Sequence, residues 1–180
     1  MTTILVLVGS LRAASVNRQL AEVAAESAAD GVTLEIYDGL AEVPFYNEDL
    51  DTADPPAAAA ALREAGARAD GALLVTPENN ATIPAVLKNA IDWLSRPYGA
   101  SGLTGTPVAV IGAAAGRHGG AWAHDETRKS VGITGATVLD DVRLSLAIPT
   151  LAGRHPREDP AVVAAVSAAV SALADAAAAR

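Results

Sequence analysis

Residues 9–17 carry the side chains and the spacing most typical of an anion site. The segment reads Gly-Ser-Leu-Arg-Ala-Ala-Ser-Val-Asn and joins a continuous apolar stretch to an alanine-rich stretch of helical composition. Unpaired backbone N–H groups and the dipole at a helix N-terminus attract anions. Ser10, Ser15 and Asn17 would add neutral donors, and Arg12 a fixed positive charge. The pattern predicts a phosphate site; the alternative is that Ser15 only caps the helix and Arg12 is solvated.

The same segment excludes two common nucleotide loops. It lacks the Gly-Lys-Ser/Thr of a Walker loop, and it lacks the Gly-x-Gly-x-x-Gly through which a pyrophosphate approaches the backbone. A monophosphate with two ionisable oxygens is therefore the favoured ligand.

Two later segments predict surfaces for a flat polar ring. Residues 76–82, Thr-Pro-Glu-Asn-Asn-Ala-Thr, offer amide and backbone hydrogen-bonding groups, with a proline that stiffens the approach. Residues 112–120, Gly-Ala-Ala-Ala-Gly-Arg-His-Gly-Gly, carry almost no side chain at their start, so a ring can approach the backbone closely.

Strand-like and helix-like segments alternate along the whole chain. Each right-handed crossover between parallel strands deposits a helix on the sheet, so the alternation predicts an α/β fold with helices on both faces. We predict a doubly wound three-layer sandwich with a five-stranded parallel sheet, formed by residues 1–180 as one domain. Strands are predicted at residues 4–8, 32–37, 71–76, 107–111 and 136–139, and helices at 15–29, 55–68, 85–94, 120–131 and from 159 onward.

This topology brings the chemistry-bearing segments together. With the strand order 2-1-3-4-5, ligands bind beyond the carboxyl ends of the strands, where the order reverses between strands one and three. Residues 9–17, 76–82 and 112–120 are expected to meet there.

Composition excludes several other classes of protein. Of the 180 residues, 51% are hydrophobic and 19% charged, which is unlike a disordered chain. A formal net charge of −8 argues against a nucleic-acid surface. The absence of cysteine excludes disulfides, a thiolate nucleophile and a cysteine-zinc site. The apolar runs look too short to span a bilayer, and no export leader is visible, so no membrane insertion and a cytoplasmic location are expected.

Two motifs carry a family resemblance. In their order and on their predicted strands they resemble the NADPH-dependent FMN reductase family of flavodoxin-like proteins, which includes cytosolic quinone and chromate reductases. The first is the phosphate loop Gly-Ser-x-Arg-x-x-Ser-x-Asn, and the second is Thr-Pro-Glu-Tyr-Asn running into Leu-Lys-Asn-Ala-Ile-Asp-Trp. The matching residues are Gly9, Ser10, Arg12, Ser15 and Asn17, and then residues 76–78, Asn80 and residues 87–93.

The resemblance implies an FMN site at the predicted loop cluster. The ribityl phosphate would bind at residues 10–17, and the isoalloxazine ring would lie against residues 77–80 and the start of 112–120. Arg117 and His118 would bind the phosphates of NADPH or NADH, with the alternative that both are solvated. The implied FMN-binding residues are Ser10, Leu11, Arg12, Ser15, Val16, Asn17, Pro77, Glu78, Asn79, Asn80, Gly112, Ala113 and Gly116.

The implied function is an NAD(P)H-dependent FMN reductase or quinone reductase. Hydride would pass from NAD(P)H to FMN and then, in a ping-pong cycle, to a quinone or similar small acceptor. No Ser-His-Asp arrangement and no paired carboxylates are found, so no catalytic side chain is named. The scattered histidines suggest no metal site.

Two alternatives remain open at the level of the sequence. A flavodoxin-like FMN electron carrier without NAD(P)H oxidase activity would also be small and acidic. The arginine in the phosphate loop, the motif at residues 87–93 and the lack of an aromatic pair around the flavin favour the reductase. A cofactor-free regulatory domain would not need Arg12, Ser15 and Asn17 together.

Two further expectations concern the region after the third strand. The family tyrosine of Pro-Glu-Tyr-Asn is Asn79 here, which puts acceptor specificity in question. Leu87, Ile91, Trp93 and Leu94 make the following helix apolar around much of its circumference, which predicts a homodimer or homotetramer. Trp93 and Leu94 are expected to be packing residues rather than flavin contacts.

Overall fold

A five-stranded parallel sheet forms the centre of the molecule. The computed structural model describes residues 1–180, and its strands follow the order β2-β1-β3-β4-β5, which confirms the predicted flavodoxin-like topology. Every neighbouring pair of strands is parallel. The strands are β1 (Thr2–Val8), β2 (Val32–Ile36), β3 (Gly71–Val75), β4 (Pro107–Ala114) and β5 (Thr137–Ala147).

Helices cover both faces of the sheet and create two separate cores. Successive side chains of a strand point to opposite faces, so in β1 the residues Ile4 and Val6 join one core while Leu5 and Leu7 join the other. Helices α1 and α5 pack on the first face, and α2, α3 and α4 on the second. The helices are α1 (Val16–Glu26), α2 (Ala57–Arg68), α3 (Ala85–Leu94), α4 (Ala121–Ile133) and α5 (Pro160–Ala178).

The helix starts follow from local chemistry. Ser15 precedes α1, and its hydroxyl accepts a hydrogen bond from the Arg18 N–H at 3.4 Å. Asp159 caps α5 by accepting from the N–H groups of Ala161 and Val162, with a proline at the first helical position. Ser15 therefore caps the helix, and capping does not prevent the free N–H groups of the same loop from binding an anion.

Strand β5 is much longer than the predicted residues 136–139. It extends to Ala147, and its pairing with β4 contains a bulge, because the register shifts between Val108 and Val110. Asp140 and Asp141 interrupt the apolar pattern at this point. A charged interruption is tolerated in an edge strand because one side of the strand faces solvent.

A buried guanidinium compensates for the bulge. The Arg128 side chain on α4 is only 6% exposed, and its Nη2 donates to the carbonyl oxygens of Val110 at 2.8 Å and Val142 at 2.9 Å. Arg128 thus pairs backbone acceptors on both strands where the ladder is irregular.

Helix α3 is buried inside its own chain. Leu87, Ile91, Trp93 and Leu94 are each no more than 2% exposed. The sequence argument that these residues leave apolar surface for another chain is therefore wrong, because α2 and the segment after β2 cover them. Trp93 and Leu94 are packing residues, as predicted.

The estimate that all apolar runs are too short for a bilayer is wrong for α5. This one helix is long and apolar enough to span a membrane by length and composition alone. It packs on the sheet through Val162, Val166, Val170 and Leu173, which belong to the first core. A core helix of this kind meets the same compositional test.

Candidate functional site

A cleft of about 920 Å³ opens beyond the carboxyl ends of β1, β3 and β4. Its walls are the loop after β1, the Pro77–Asn79 stretch, residues 113–115, the first turns of α3 and residues 40–45. Ligand sites usually measure roughly 300–1,000 Å³, so this cleft is near the upper end of that range. It lies at the switch point of the strand order, as the sequence predicts.

The loop after β1 presents a row of free donors to the cleft. None of the backbone N–H groups of residues 10–17 donates to an acceptor elsewhere in the chain. Arg12 is exposed and Ser10 is half-buried, and neither side chain forms an ion pair or hydrogen bond within the protein. These donors together suit one dianionic phosphate group at the start of α1.

Asn17 lines the cleft and also has a structural role that the sequence did not reveal. The side chain is buried, its Nδ2 donates to the Ala113 carbonyl at 2.9 Å, and its Oδ1 accepts from the Ala113 N–H at 2.8 Å. The Oδ1 and one hydrogen of Nδ2 are used within the chain, which leaves one Nδ2 hydrogen for a ligand. Asn17 thereby ties the start of α1 to the end of β4 and fixes the distance between two walls of the cleft.

Glu78 links the loop after β3 to helix α4. Its Oε2 accepts a hydrogen bond from the Ala123 N–H at 3.2 Å, in the first turn of α4. A carboxylate at a helix N-terminus is stabilised by the helix dipole. Pro77 and Glu78 line the cleft and are half-buried. The hydrogen bond to α4 holds Glu78 in place, while the backbone N–H and the second carboxylate oxygen of Glu78 remain free.

A tight turn follows Glu78. Asn79 and Thr82 exchange two backbone hydrogen bonds of 3.1 and 3.0 Å, and the central residues Asn80 and Ala81 have φ angles of 50° and 62°. This is the geometry of a type I′ turn, in which asparagine is favoured at the first central position. Asn79 lines the cleft, whereas Asn80, also predicted as a binding residue, lies outside it.

The wall from β4 is smaller than predicted because the strand continues to Ala114. Ala113, Ala114 and Ala115 line the cleft, whereas Gly112 lies within the strand and outside the cleft lining. A Cβ at Gly112 would lie 2.0 Å from the Thr76 carbonyl oxygen. Gly112 is thus needed for the close approach of β3 and β4 rather than for ligand contact.

Three predicted residues in the next loop lie outside the cleft lining. Gly116, Arg117 and His118 are exposed, and the Arg117 Nε donates to the His118 Nε2 at 2.9 Å. His118 also packs at a tilt against the exposed Trp122, with ring centroids 5.8 Å apart. The structure brings together the other ten predicted FMN-binding residues, which are Ser10, Leu11, Arg12, Ser15, Val16, Asn17, Pro77, Glu78, Asn79 and Ala113.

The fourth wall, residues 40–45, was not predicted as part of the site. Buried Asn89 on α3 holds it: Oδ1 accepts from the Tyr46 N–H at 2.7 Å, and Nδ2 donates to the Pro44 carbonyl at 3.0 Å. Trp93 Nε1 also donates to the Pro44 carbonyl, at 2.8 Å. A signal existed in the sequence, because an asparagine on the buried face of an apolar helix must find hydrogen-bond partners.

A buried histidine that the sequence analysis passed over supports the loop after β3. His124 Nε2 lies 3.0 Å from the Thr76 carbonyl, which can only accept, so Nε2 carries the proton. Nδ1 then accepts from the Ser145 hydroxyl at 2.7 Å. Burial lowers the pKa of His124 below its ordinary value, and Arg128 lowers it further, so the ring is held neutral.

The sequence matches the model of the NADPH-dependent FMN reductase family over residues 2–149. The chain belongs to this family. It is 43% identical over 129 residues to a quinone reductase of Pseudomonas putida, covering 72% of this chain and 69% of that protein. It is 45% identical over 125 residues to a 2-hydroxy-1,4-benzoquinone reductase of a Burkholderia species, covering 69% and 67%.

A solved structure extends the likeness over the whole chain. The flavoenzyme NAD(P)H:(acceptor) oxidoreductase of Paracoccus denitrificans superposes with a TM-score of 0.87 at 30% identity, covering 98% of this chain and 97% of that one. Membership of the family supports the reductase interpretation and not the electron carrier, and it confirms FMN and NAD(P)H as the cofactor and co-substrate.

The residues present fit FMN. The cleft offers one cluster of anion donors with a single unpaired arginine, which matches one phosphate rather than two. The walls at residues 77–79 and 113–115 present short side chains and backbone groups against which a flat heterocycle can lie.

Replacing Arg12 tests the phosphate assignment. We expect Arg12→Ala to weaken FMN binding by about 1.5–3 kcal/mol, the range for a hydrogen bond to a charged group. Riboflavin, which lacks the phosphate, should bind both proteins equally. Titration of the apoprotein with each ligand measures this, with Arg68→Ala, an exposed arginine on α2, as control. An equal loss for both ligands would show that Arg12 does not bind phosphate.

The neutral His124 predicts a pH dependence of stability. Its folded-state pKa lies below the unfolded value of about 6.5, so the unfolded chain binds the extra proton first as pH falls. The contribution is complete above pH about 6.5 and is lost below it, at up to about 1.4 kcal/mol per pH unit. Urea unfolding between pH 7.5 and 5 should show a steeper decline for the native chain than for His124→Gln. Parallel curves would contradict this assignment.

Proposed function

We propose that this protein transfers hydride equivalents from NAD(P)H through FMN to quinones or similar small acceptors. The observation that carries the proposal is the pairing, in one cleft, of a free monophosphate cradle with walls of backbone and short side chains. When bound there, FMN supplies the redox chemistry, accepting hydride from one substrate and passing electrons to the next.

The side chains of the cleft bind and orient rather than transfer protons. Arg12 and the N–H groups of residues 10–17 hold the phosphate, while Pro77, Glu78 and Ala113 border the ring. The titratable residues that line the cleft are Arg12, Glu42 and Glu78, and we assign no catalytic side chain. With Arg12 assigned to the phosphate, the remaining charged lining residues are the carboxylates of Glu42 and Glu78, which favour neutral acceptors such as quinones over anionic ones.

We also propose a role for Arg117 and His118 in binding the phosphates of NAD(P)H. They stand on the exposed loop that continues directly from the cleft residue Ala115. The Nη1 and Nη2 groups of Arg117 have no partner in the chain and are available to a phosphate.

The whole chain, residues 1–180, would form one FMN-binding domain. The absence of cysteine, together with the NAD(P)H requirement, favours a cytoplasmic location.

Spectroscopy and kinetics test the function directly. The purified protein loaded with FMN should show the flavin absorption bands and oxidise NADPH slowly alone and rapidly when 1,4-naphthoquinone is added. The initial rates should give parallel double-reciprocal lines, as a ping-pong cycle requires. Bound flavin without NADPH or NADH oxidation would favour the electron carrier, and no flavin binding would contradict the proposal altogether.

A homo-oligomer, either a dimer or a tetramer, forms part of the proposal. A groove between α3 and α4 is bordered by Tyr98, which is 77% exposed, and Ile133, which is 73% exposed. Lys88 and Glu126 also line it. Apolar side chains beside charges of both signs suit a face that pairs with its own copy about a two-fold axis.

Sedimentation velocity at micromolar concentration tests the oligomer. We expect a species of at least twice the 18.1 kDa chain mass, and a shift towards monomer for Ile133→Asp, because a charge would be buried at the contact. Leu50→Asp, at a less exposed apolar residue outside this groove, is the matched control. A monomer for the native chain would contradict the proposal.

A further inference from the structure

Phe45 is an exposed aromatic residue in the cleft wall formed by residues 40–45. Phe45 is the only phenylalanine of the chain, and it is 77% exposed although it lines the cleft. It is also the only aromatic residue among the lining residues. A large apolar side chain left in water beside a binding cleft marks a surface that a ligand covers.

The backbone on both sides of Phe45 is fixed. The Pro44 carbonyl accepts from Asn89 Nδ2 and Trp93 Nε1, and the Tyr46 N–H donates to Asn89 Oδ1. The Tyr46 ring packs edge-on against Trp93, with centroids 5.1 Å apart. The side chain of Phe45 therefore extends from a rigid support, which lowers the entropy lost when a ligand packs on it.

The walls of the cleft differ in chemistry. The wall at residues 10–17 carries the anion donors, whereas Ala41, Val43, Pro44 and Phe45 make the segment after β2 mostly apolar. The cleft volume of about 920 Å³ is near the upper end of the range for ligand sites. An apolar wall in the same cleft as the cofactor walls suits a second, uncharged flat molecule.

We propose that Phe45 is the surface on which the aromatic electron acceptor packs, and thereby a residue that determines the specificity for flat, uncharged quinones. The proposal rests on the proposed function, since it specifies the acceptor side of the same cleft. Aromatic rings pack by stacking or edge-to-face contact, so a fused-ring quinone gains more from Phe45 than a non-aromatic acceptor does.

Binding without turnover provides the first test. Titration of the FMN-loaded, oxidised protein with 1,4-naphthoquinone, followed by the change in flavin absorbance, gives a dissociation constant without any reductant. Phe45→Ala should raise it about tenfold, whereas Phe45→Tyr, which keeps the ring, should restore native affinity. Leu50→Ala, which alters an apolar residue of the same segment outside the cleft lining, should have no effect.

Kinetics provide the second test. Phe45→Ala should lower kcat/KM for 1,4-naphthoquinone about tenfold while leaving kcat/KM for ferricyanide, which has no apolar face, within twofold. An unchanged quinone dissociation constant and unchanged quinone kinetics in an active protein would overturn the proposal. Weaker FMN binding by Phe45→Ala with unaltered quinone affinity would overturn it too, because Phe45 would then belong to the cofactor wall.

Different results would contradict the proposed function and the proposed role of Phe45. If the native protein binds FMN but does not oxidise NADPH, the proposed function fails while the quinone titration still measures the contribution of Phe45. If the native protein reduces quinones and Phe45→Ala does so equally well, the proposed function stands and the assignment of Phe45 is wrong.

Discussion

The site depends on how closely β1 and β4 approach Thr76 near their carboxyl ends. This residue follows β3 at the centre of the sheet, and its N–H donates to the Ile111 carbonyl of β4. A Cβ at Gly9 would lie 2.8 Å from the Thr76 hydroxyl oxygen, and one at Gly112 only 2.0 Å from its carbonyl oxygen. The ends of β1 and β4 can reach this position only because neither carries a side chain there. The spacing of the cleft walls is therefore set by these close backbone approaches within the sheet.

Buried polar side chains then fix the loops that leave these strand ends. Asn17 joins the loop after β1 to β4, His124 holds the carbonyl at the end of β3, and Asn89 holds the segment after β2. Each uses both of its hydrogen-bonding ends, so the desolvation of these groups is compensated. Loops held in this way are ordered before a ligand arrives, and less of the binding free energy is lost in ordering them.

Features of the fold that depend on local sequence patterns could be predicted from the sequence. Features that depend on the direction in which a side chain points could not. Residues 85–94 were predicted as a helix with the observed bounds, because apolar spacing and the preceding proline both act locally. Asn17 lines the cleft, as the sequence suggested, but its residue type does not reveal that its amide is hydrogen-bonded to β4. The wall at residues 40–45 was missed because its supports on α3 lie more than 40 residues away in sequence. The length of β5 was underestimated because Asp140 and Asp141 look like the end of a strand. In the structure they lie at a bulge, where Arg128 pairs the backbone carbonyl groups and the strand continues.

The departure from the family pattern at Asn79 removes an aromatic side chain from one wall of the cleft. Asn79 is exposed, its backbone is fixed by the exchange of hydrogen bonds with Thr82, and its side chain contacts no polar partner in the chain. A small amide at this place offers little area for ring packing compared with the tyrosine of the family motif. Phe45, in the segment after β2, is then the one aromatic residue that lines the cleft. With the role proposed for Phe45, recognition of a flat acceptor and retention of the cofactor would be separated between two segments, and the acceptor range could then change through residues 40–45 without altering the phosphate loop.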